Sequence, residues 1–444
     1  MSRRLRAIVY LGVQRAAVLS LVCTAFACST SSSDAAPHGD SDAGSSSVSS
    51  SGGGSSSSSG STSASGGSSS GASSVSGAAA GGSAGASGNT SAGASGSAGS
   101  EAAAGSGGGP ARTVVQGPCD IYQSGNTPCV AAHSTVRALY GSYSGKLYQV
   151  QRVADNATKD IYPLGPGGYA DSASQDTFCA QTNCTISIIY DQSPQHNDLP
   201  ASPPSTFLPT GGTAAIANAQ KITMAGSHSV YGVYVAGGGT AYRNDNTTGV
   251  AKGNQPEAMY MVLDATRFSG TCCFDYGNAE ANGQDDGNGT MEAIYWGSDT
   301  FWGGQGQGNG PWIAADLENG MFKCDDGFPQ TNLVLSQACP TALAQTITAK
   351  LATAMLKGPA DNTFTLKSAD AQSGTLVVQW DGPRPSPSGY YPKNLQGAII
   401  LGTGGDGSDG GKGTFFEGAM TAGNPSDDID NLVQANIVAA GYGQ

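Results

Sequence analysis

Trp312-Ile313-Ala314-Ala315-Asp316-Leu317-Glu318-Asn319-Gly320 is a short apolar run that carries two carboxylates and stops at Asn-Gly. Its length, aromatic start and turn-forming end describe a β-strand rather than a helix. Runs of the same kind recur on either side: 146–153, 185–190, 230–236, 258–263, 291–296, 312–322, 363–367, 375–380, 398–401 and 414–420. They are short, rich in β-branched and aromatic residues, and separated by Gly, Pro, Asn and Asp. Strands do not alternate with helices, which disfavours a doubly wound α/β fold. The spacing predicts an all-β domain, a two-sheet β-sandwich or jelly roll with few short helices. Two helices are expected. One spans 341–356, rich in Ala, Leu and Lys, and ends before Gly358. The other is capped by Ser426, carries Asp427 and Asp428 at its positive end, and runs through Ala440. Its apolar stripe would be Ile429, Leu432, Val433, Ile437 and Ala440.

The 444 residues do not read as one globule. Residues 1–28 read as a secretion signal, with Arg3, Arg4 and Arg6 ahead of an apolar stretch from Ala16 to Ala27. Ser2-Arg3-Arg4 alone is too little for a twin-arginine route. The signal ends Thr24-Ala25-Phe26-Ala27-Cys28, a small residue before cysteine, as at bacterial lipoprotein cleavage sites. Two outcomes stay open: Cys28 becomes a lipidated N-terminus, or plain cleavage after Ala27 leaves it idle. Residues 29–112 are almost wholly Ser, Gly and Ala. They cannot bury enough apolar surface to offset their ordering entropy, so a disordered tether is expected. From Cys119 onward aromatic and branched residues recur to the end, and residues 113–444 are expected to form one large domain. No other segment approaches the ~20 apolar residues of a spanning helix. The expected location is exported, as a cell-surface lipoprotein or a secreted protein.

Charge narrows the partners. Of 20 basic and 33 acidic residues, 15 and 29 lie beyond residue 112, which leaves the domain near −14. That argues against nucleic acid and against an anionic membrane surface, with membrane contact only through an N-terminal lipid. It suits a neutral ligand such as a sugar. Once Cys23 leaves with the signal and Cys28 is set apart, eight cysteines remain, an even number that fits export. Local pairs suggest themselves: Cys119–Cys129, Cys179–Cys184, Cys272–Cys273 and, least anchored, Cys324–Cys339. Adjacent cysteines and the absence of Cys-x-x-Cys argue against zinc. No metal or cofactor is expected, and a monomer is.

Several residues could carry chemistry. A Cys272–Cys273 bond would make a rigid apolar sulfur plate, suited to a binding site. On a strand Asp316 and Glu318 would face one side and raise one another's pKa, as for a nucleophile with an acidic helper. Gly402-Thr403-Gly404-Gly405-Asp406-Gly407 matches a dinucleotide fingerprint in letters only, since no helix can follow in Ser408-Asp409-Gly410-Gly411. Its aspartates do not fall on the alternate positions of a calcium loop. It reads better as a loop presenting Asp406, with glycines that let a ligand come close. His133, His196 and His228 sit in no nucleophile–base motif and read as structural. Trp302, with glycines after it, is a candidate sugar platform, while Trp312 divides evenly between contact and core.

At these residues the chain resembles a known family. The stretches 271–280, Met291-Glu292-Ala293-Ile294-Tyr295, Gly310-Pro311-Trp312-Ile313, 316–320 and 397–406 are similar to the catalytic domain of glycoside hydrolase family 54, the α-L-arabinofuranosidases of the B type. Further matches are 117–122, 131–135 and 434–440, so the likeness spans the domain in order. The resemblance implies a concanavalin-like sandwich and a retaining mechanism. It implies Glu318 as nucleophile, Asp406 as general acid/base, and Cys272–Cys273 as the disulfide packed on the arabinose. Trp302, Asp316, Asn319 and Gly405 match positions that line the sugar pocket. The implied activity is release of terminal non-reducing α-L-arabinofuranosyl residues from arabinan- or arabinoxylan-type plant cell-wall polysaccharides or oligosaccharides. Two departures stand out. Many relatives continue into an arabinose-binding β-trefoil module, and none is expected after residue 444. Residues 323–350 match poorly and are expected to reshape one pocket edge. Two competing functions remain: a non-catalytic arabinose-binding lectin, or a sibling glycosidase acting on β-xylosides or galactofuranosides.

Overall fold

The computed structural model describes residues 116–303, 306–324, 344–385 and 388–444. The signal (1–28) with Cys28, the tether (29–112), Cys339 and much of 323–350 lie outside the described residues. The described strands form three antiparallel sheets. The largest runs Ser373–Pro383, Thr363–Asp370, Leu351–Gly358, Glu257–Asp264, Gly413–Ala422, His228–Val235, Gln220–Met224. Gly413–Ala422 has Glu257–Asp264 along one edge. Its other edge is shared end to end: its first residues pair with His228–Val235 and its later ones with Cys129–Ser134. The second sheet runs Met321–Phe322, Trp312–Asp316, Glu292–Gly297, Asp275–Ala279, Ala398–Leu401, Tyr242–Asn244. These two sheets face each other as the expected sandwich. A four-stranded sheet (Thr158–Ile161, Tyr148–Arg152, Cys184–Ile189, Leu199–Pro200) packs beside them through Leu199–Pro200 and Tyr242–Asn244.

One helix expectation fails. Residues 351–358 form the strand Leu351–Gly358, every residue of it buried between Glu257–Asp264 and Thr363–Asp370. A strand covered on both faces shows no alternation, so its apolar run cannot be told from a buried helix by period. Two flanking partners outweigh the helix propensity of its Ala and Leu residues. The other helix forms as Asp427–Ala439, with Ser426 Oγ accepting from the Ile429 amide at 3.4 Å. Val433 and Ile437 are buried, but Leu432 is 53% exposed and does not belong to the packed stripe. What faces the sheet beside Val433 is Asp430, ion-paired to Lys357 and Lys367 at 2.9 and 2.8 Å. The helix is therefore fastened to the sheet by charge as well as by apolar packing.

The second sheet explains where a site can exist. Its inward face, made by Tyr276, Ile294, Trp296, Ile313, Ala315, Ile399 and Leu401, belongs to the main core. Residues one step along each strand point the other way. They are mostly small: Ala279, Ala293, Ala398 and Ile400 in one cluster, Tyr295 and Ala314 in another. Small side chains leave a shallow tray, and loops from several strand ends fold over it. Disulfides Cys119–Cys129 and Cys179–Cys184 pin peripheral segments. Cys324 is also disulfide-bonded, and its expected partner Cys339 lies outside the described residues.

Candidate active site

Over this tray lies a cleft of about 440 Å³. Cys272, Cys273, Trp302, Asp316, Glu318, Asn319, Gly405 and Asp406 all line it. The eight residues singled out in the sequence therefore meet in one place. Phe207, Asp285 and Ser408 complete much of the rim.

Cys272 and Cys273 are bonded to each other just before Asp275–Ala279, and Cys273 Sγ lies 3.7 Å from Asp316 Oδ2. The carboxylates are not arranged as an i, i+2 strand pair. The strand ends at Asp316, and Glu318 (φ 64°) and Asn319 (φ 56°) adopt the left-handed conformation. A turn follows from Asn319-Gly320, closed by the Leu317 amide on the Gly320 carbonyl at 3.2 Å. The Glu318 amide donates to Asp316 Oδ1 at 3.2 Å, so Asp316 holds the turn that carries Glu318. Left-handed glutamate costs roughly 1–2 kcal/mol, a strain found where a side chain must be aimed. The Asn319 amide donates to Asp285 Oδ1 at 3.0 Å, and its carbonyl accepts from Tyr390 Oη at 3.1 Å.

Asp406 stands in the glycine loop after Ala398–Leu401. Its Oδ1 accepts from the Ser408 amide at 2.9 Å and from Ser408 Oγ at 2.6 Å. The Gly404 amide closes the loop on the Ser408 carbonyl at 2.8 Å. Gly407 sits at φ 93°, which favours glycine. Trp302, 37% exposed, is presented by a turn in which Asp299 Oδ1 accepts the amides of Phe301 and Trp302 at 2.7 and 3.0 Å. Trp312 is resolved as core: it is 2% exposed and its Nε1 donates to the Gln307 carbonyl at 2.9 Å. His133 is structural, buried between Tyr276 Oη (3.1 Å) and the Asn197 carbonyl (2.8 Å).

Two acids missed in the sequence lie behind the visible ones. Asp275 starts its strand on the tray side and is fully buried. Neither of its oxygens meets a donor among the described residues, and its hydrogen-bonding neighbour is the Asp316 carboxyl. Glu280 follows the same strand, is fully buried, and makes a like contact with Glu318. Its Oε1 accepts from Thr290 Oγ1 at 2.5 Å. Buried Arg243 donates to the backbone carbonyls of both Glu280 and Gly405, which ties the Glu280 segment to the Asp406 loop. A Cβ at Gly405 would land on Glu280 Oε2, so only glycine leaves room there. The sequence signal was faint: Glu280 directly follows the strand Asp275–Ala279, but its neighbour Gly405 is far along the chain.

Burial is the main electrostatic cause throughout. Burial, then Glu280, Asp316, Asp406 and Asp285, push the Glu318 carboxyl far above its usual range. Burial raises Asp316 to about 7, with Glu280 and Asp406 adding to it and hydrogen bonds from Asp275 and the Glu318 amide opposing. Burial, then Asp316 and Asp406, raise Asp275 well above the carboxyl range. The site is thus a set of acids that share protons, beside an apolar sulfur plate. That combination can protonate a leaving oxygen and supply a carboxylate to an electron-poor carbon.

Residues 118–443 match the family described as alpha-L-arabinofuranosidase B, catalytic. The chain is 52% identical over 336 residues to alpha-L-arabinofuranosidase B of Aspergillus oryzae, covering 75% of this chain and 63% of that protein. It is 50% identical over 339 residues to the enzyme of that name from Aspergillus niger, covering 75% and 65%. Among solved structures, an arabinofuranosidase complexed with arabinofuranosyl-α-1,2-xylobiose is 48% identical, with TM-score 0.69, covering 74% of this chain and 66% of that one. A glutamine variant of a family 54 α-L-arabinofuranosidase soaked with 4-nitrophenyl α-L-arabinofuranoside matches equally, at 48% identity and TM-score 0.69, with the same coverage. The chain thus spans just under two thirds of the length of these relatives. With its strand order, its cleft and these matches together, the chain belongs to the family of arabinofuranosidase B catalytic domains.

Proposed function

We propose that this chain is a retaining α-L-arabinofuranosidase that removes single terminal arabinofuranosyl residues from arabinan- or arabinoxylan-type glycans. The observation that carries this is one cleft shared by Glu318, Asp406 and the Cys272–Cys273 plate. In the proposed first step Asp406, protonated, donates its proton to the leaving glycosidic oxygen while Glu318 attacks the anomeric carbon. The glycosidic bond breaks and an arabinosyl ester of Glu318 forms. Asp406, now ionised, takes a proton from water, whose oxygen attacks the same carbon and releases Glu318 and arabinose. Two inversions leave the anomeric configuration retained. The sulfur plate and Trp302 offer apolar faces to the sugar ring, and Asp316 and Asn319 offer polar contacts to its hydroxyls. A relative solved with arabinofuranosyl-α-1,2-xylobiose supports xylan-borne arabinose as one substrate.

The test is hydrolysis of 4-nitrophenyl α-L-arabinofuranoside by the full chain, with Glu318→Gln alongside. Turnover by the parent and a fall of about 10⁴-fold or more in the variant are expected. Arabinose binding without turnover would instead establish a lectin, and preferred turnover of β-xylosides or galactofuranosides a sibling glycosidase. We further propose that residues 1–28 direct export, with lipid on Cys28 and residues 29–112 as the tether. Labelled palmitate should enter the parent and not Cys28→Ser, and equal labelling of both would sink this proposal.

A further inference from the structure

The residues assigned to the arabinose leave the other half of the substrate, the sugar bonded through the glycosidic oxygen, without a partner. Asp406 must come within hydrogen-bond reach of that oxygen to protonate it. The first ring of the leaving group is attached to the same oxygen, so it has to lie beside the loop that carries Asp406. Phe207 stands on that loop. Its amide donates to the Asp406 carbonyl at 3.0 Å, and it lines the cleft together with Thr206 while remaining 61% exposed. Of the large aromatic residues left exposed among the described ones, only Phe207 and Trp302 line this cleft. The family resemblance places Trp302 with the arabinose, and Phe207 has no such assignment.

A single exposed apolar side chain is ordinary on a protein surface. Phe207 differs in how it is held. The turn Ser205-Thr206-Phe207-Leu208 lies between Pro203-Pro204 and Pro209. The Ser205 amide donates to the Leu208 carbonyl at 3.0 Å. Thr206 donates twice to the Gly283 carbonyl, from its amide at 2.9 Å and its hydroxyl at 3.1 Å. A Cβ at Gly407 would run into Ser205 Oγ, so the turn packs directly on the Asp406 loop. Leu208 is buried and gives the turn an apolar anchor of its own. The turn therefore presents an aromatic face already oriented before a ligand arrives, which lowers the ordering cost of binding. Such a face fits the apolar C–H side of a sugar ring.

We propose that Phe207 is the platform for the leaving-group sugar: it stacks on the first ring beyond the scissile bond and makes the enzyme favour glycan-borne arabinose over small arabinosides. The inference rests on the assignment of Asp406 as general acid/base. It adds a specificity-determining residue, since Phe207 touches no reacting atom. Covering one face of the ring is roughly half of burying it whole, which corresponds to about 4- to 12-fold in affinity. Stacking is equal in the ground state and the transition state, so its loss should fall on KM and not on kcat.

The test compares arabinofuranosyl-α-1,2-xylobiose, the ligand of the solved relative, with methyl α-L-arabinofuranoside, which has no leaving-group ring. In the full chain carrying Phe207→Ala, KM for the xylobiose compound should rise about 4- to 12-fold at unchanged kcat. Neither constant should change for the methyl glycoside, and Phe207→Trp should restore the parent KM. A fall in kcat with both substrates would show that Phe207 merely steadies the Asp406 loop, and would overturn the proposal. An unchanged KM for the xylobiose compound would overturn it too. Calorimetry in a Glu318→Gln background makes the same comparison without turnover. There Phe207→Ala should weaken the xylobiose compound alone, and equal weakening of both ligands, or of neither, refutes the platform. If the parent binds both ligands and turns over neither, the glycosidase reading fails, and the calorimetric comparison still decides the role of Phe207.

Discussion

Gly405→Ala is the sharpest perturbation this site offers. A Cβ built there lies 1.9 Å from Glu280 Oε2 and 3.1 Å from Glu280 Cδ and Met291 Sδ. The carboxyl cannot simply swing aside, because Oε1 is bound to Thr290 and the residue is fully buried. Arg243 also grips the backbone carbonyls on both sides of the overlap. Overpacking of this kind costs about 1–3 kcal/mol of stability. For a domain of this size that is a fall of about 1–4 °C in Tm. A shift of roughly 1 Å in catalytic geometry costs about 100-fold in rate, so kcat should fall by that order. The assay pairs thermal unfolding with turnover of 4-nitrophenyl α-L-arabinofuranoside. A second variant isolates the cause: in a Glu280→Ala background, Gly405→Ala should cost little further stability, since the overlapping atoms are gone. Wild-type Tm and kcat in the single variant would refute the argument. An undiminished cost in the Glu280→Ala background would refute it equally.

Three other outcomes are expected. Glu417 is fully buried and accepts from Arg137 Nε (2.5 Å) and Nη2 (2.7 Å), Tyr260 (3.1 Å) and Tyr442 (2.6 Å). Arg137→Met should cost about 3–5 kcal/mol in urea unfolding, and adding Glu417→Gln should recover part of that. Burial first, then Glu292, raise the Glu257 carboxyl to about 8. The folded pKa lies above the unfolded value of about 4.3, so this group's contribution is full below that value and is lost as pH rises toward 8. Denaturation at pH 5 and pH 8 should therefore show a smaller pH difference in Glu257→Gln than in the parent. Finally, proton NMR of early hydrolysis products should show the α-anomer of arabinose before mutarotation, and a β-anomer would exclude the double displacement.

Much of the sandwich was legible because its strands are short, rich in β-branched and aromatic residues, and bounded by turn residues. The run at 398–401 was read to the residue, and Ser426 announced its helix by capping chemistry. The strand Leu351–Gly358 was not legible, because its Ala, Leu, Met and Lys residues favour helix and burial on both faces leaves no period to correct that reading. Leu432 was misplaced because an ion pair at Asp430, invisible in a hydropathy pattern, fixes the helix roll. At the site, Glu318 and Asp406 were found through motifs with distinctive neighbours. The strand geometry drawn for Asp316 and Glu318 was wrong because Asn319-Gly320 reverses the chain one residue earlier. Asp275 and Glu280 stayed hidden because one-dimensional text does not distinguish a buried acid from a solvated one. Only the fold brings Gly405 against Glu280.

The shared edge of Gly413–Ala422 has a consequence for biogenesis. Three strands from earlier in the chain, Cys129–Ser134, His228–Val235 and Glu257–Asp264, all pair with this one late strand. The larger sheet is therefore open at its middle until residue 422 has emerged from the ribosome. Pairings over such sequence separations are slow to form, and the unfinished sheet exposes edges that invite association. The growing chain is unable to complete its core before this last strand is available. Under the export proposed above, a sheet left open for so long would keep the chain threadable, and the finished fold would close after passage.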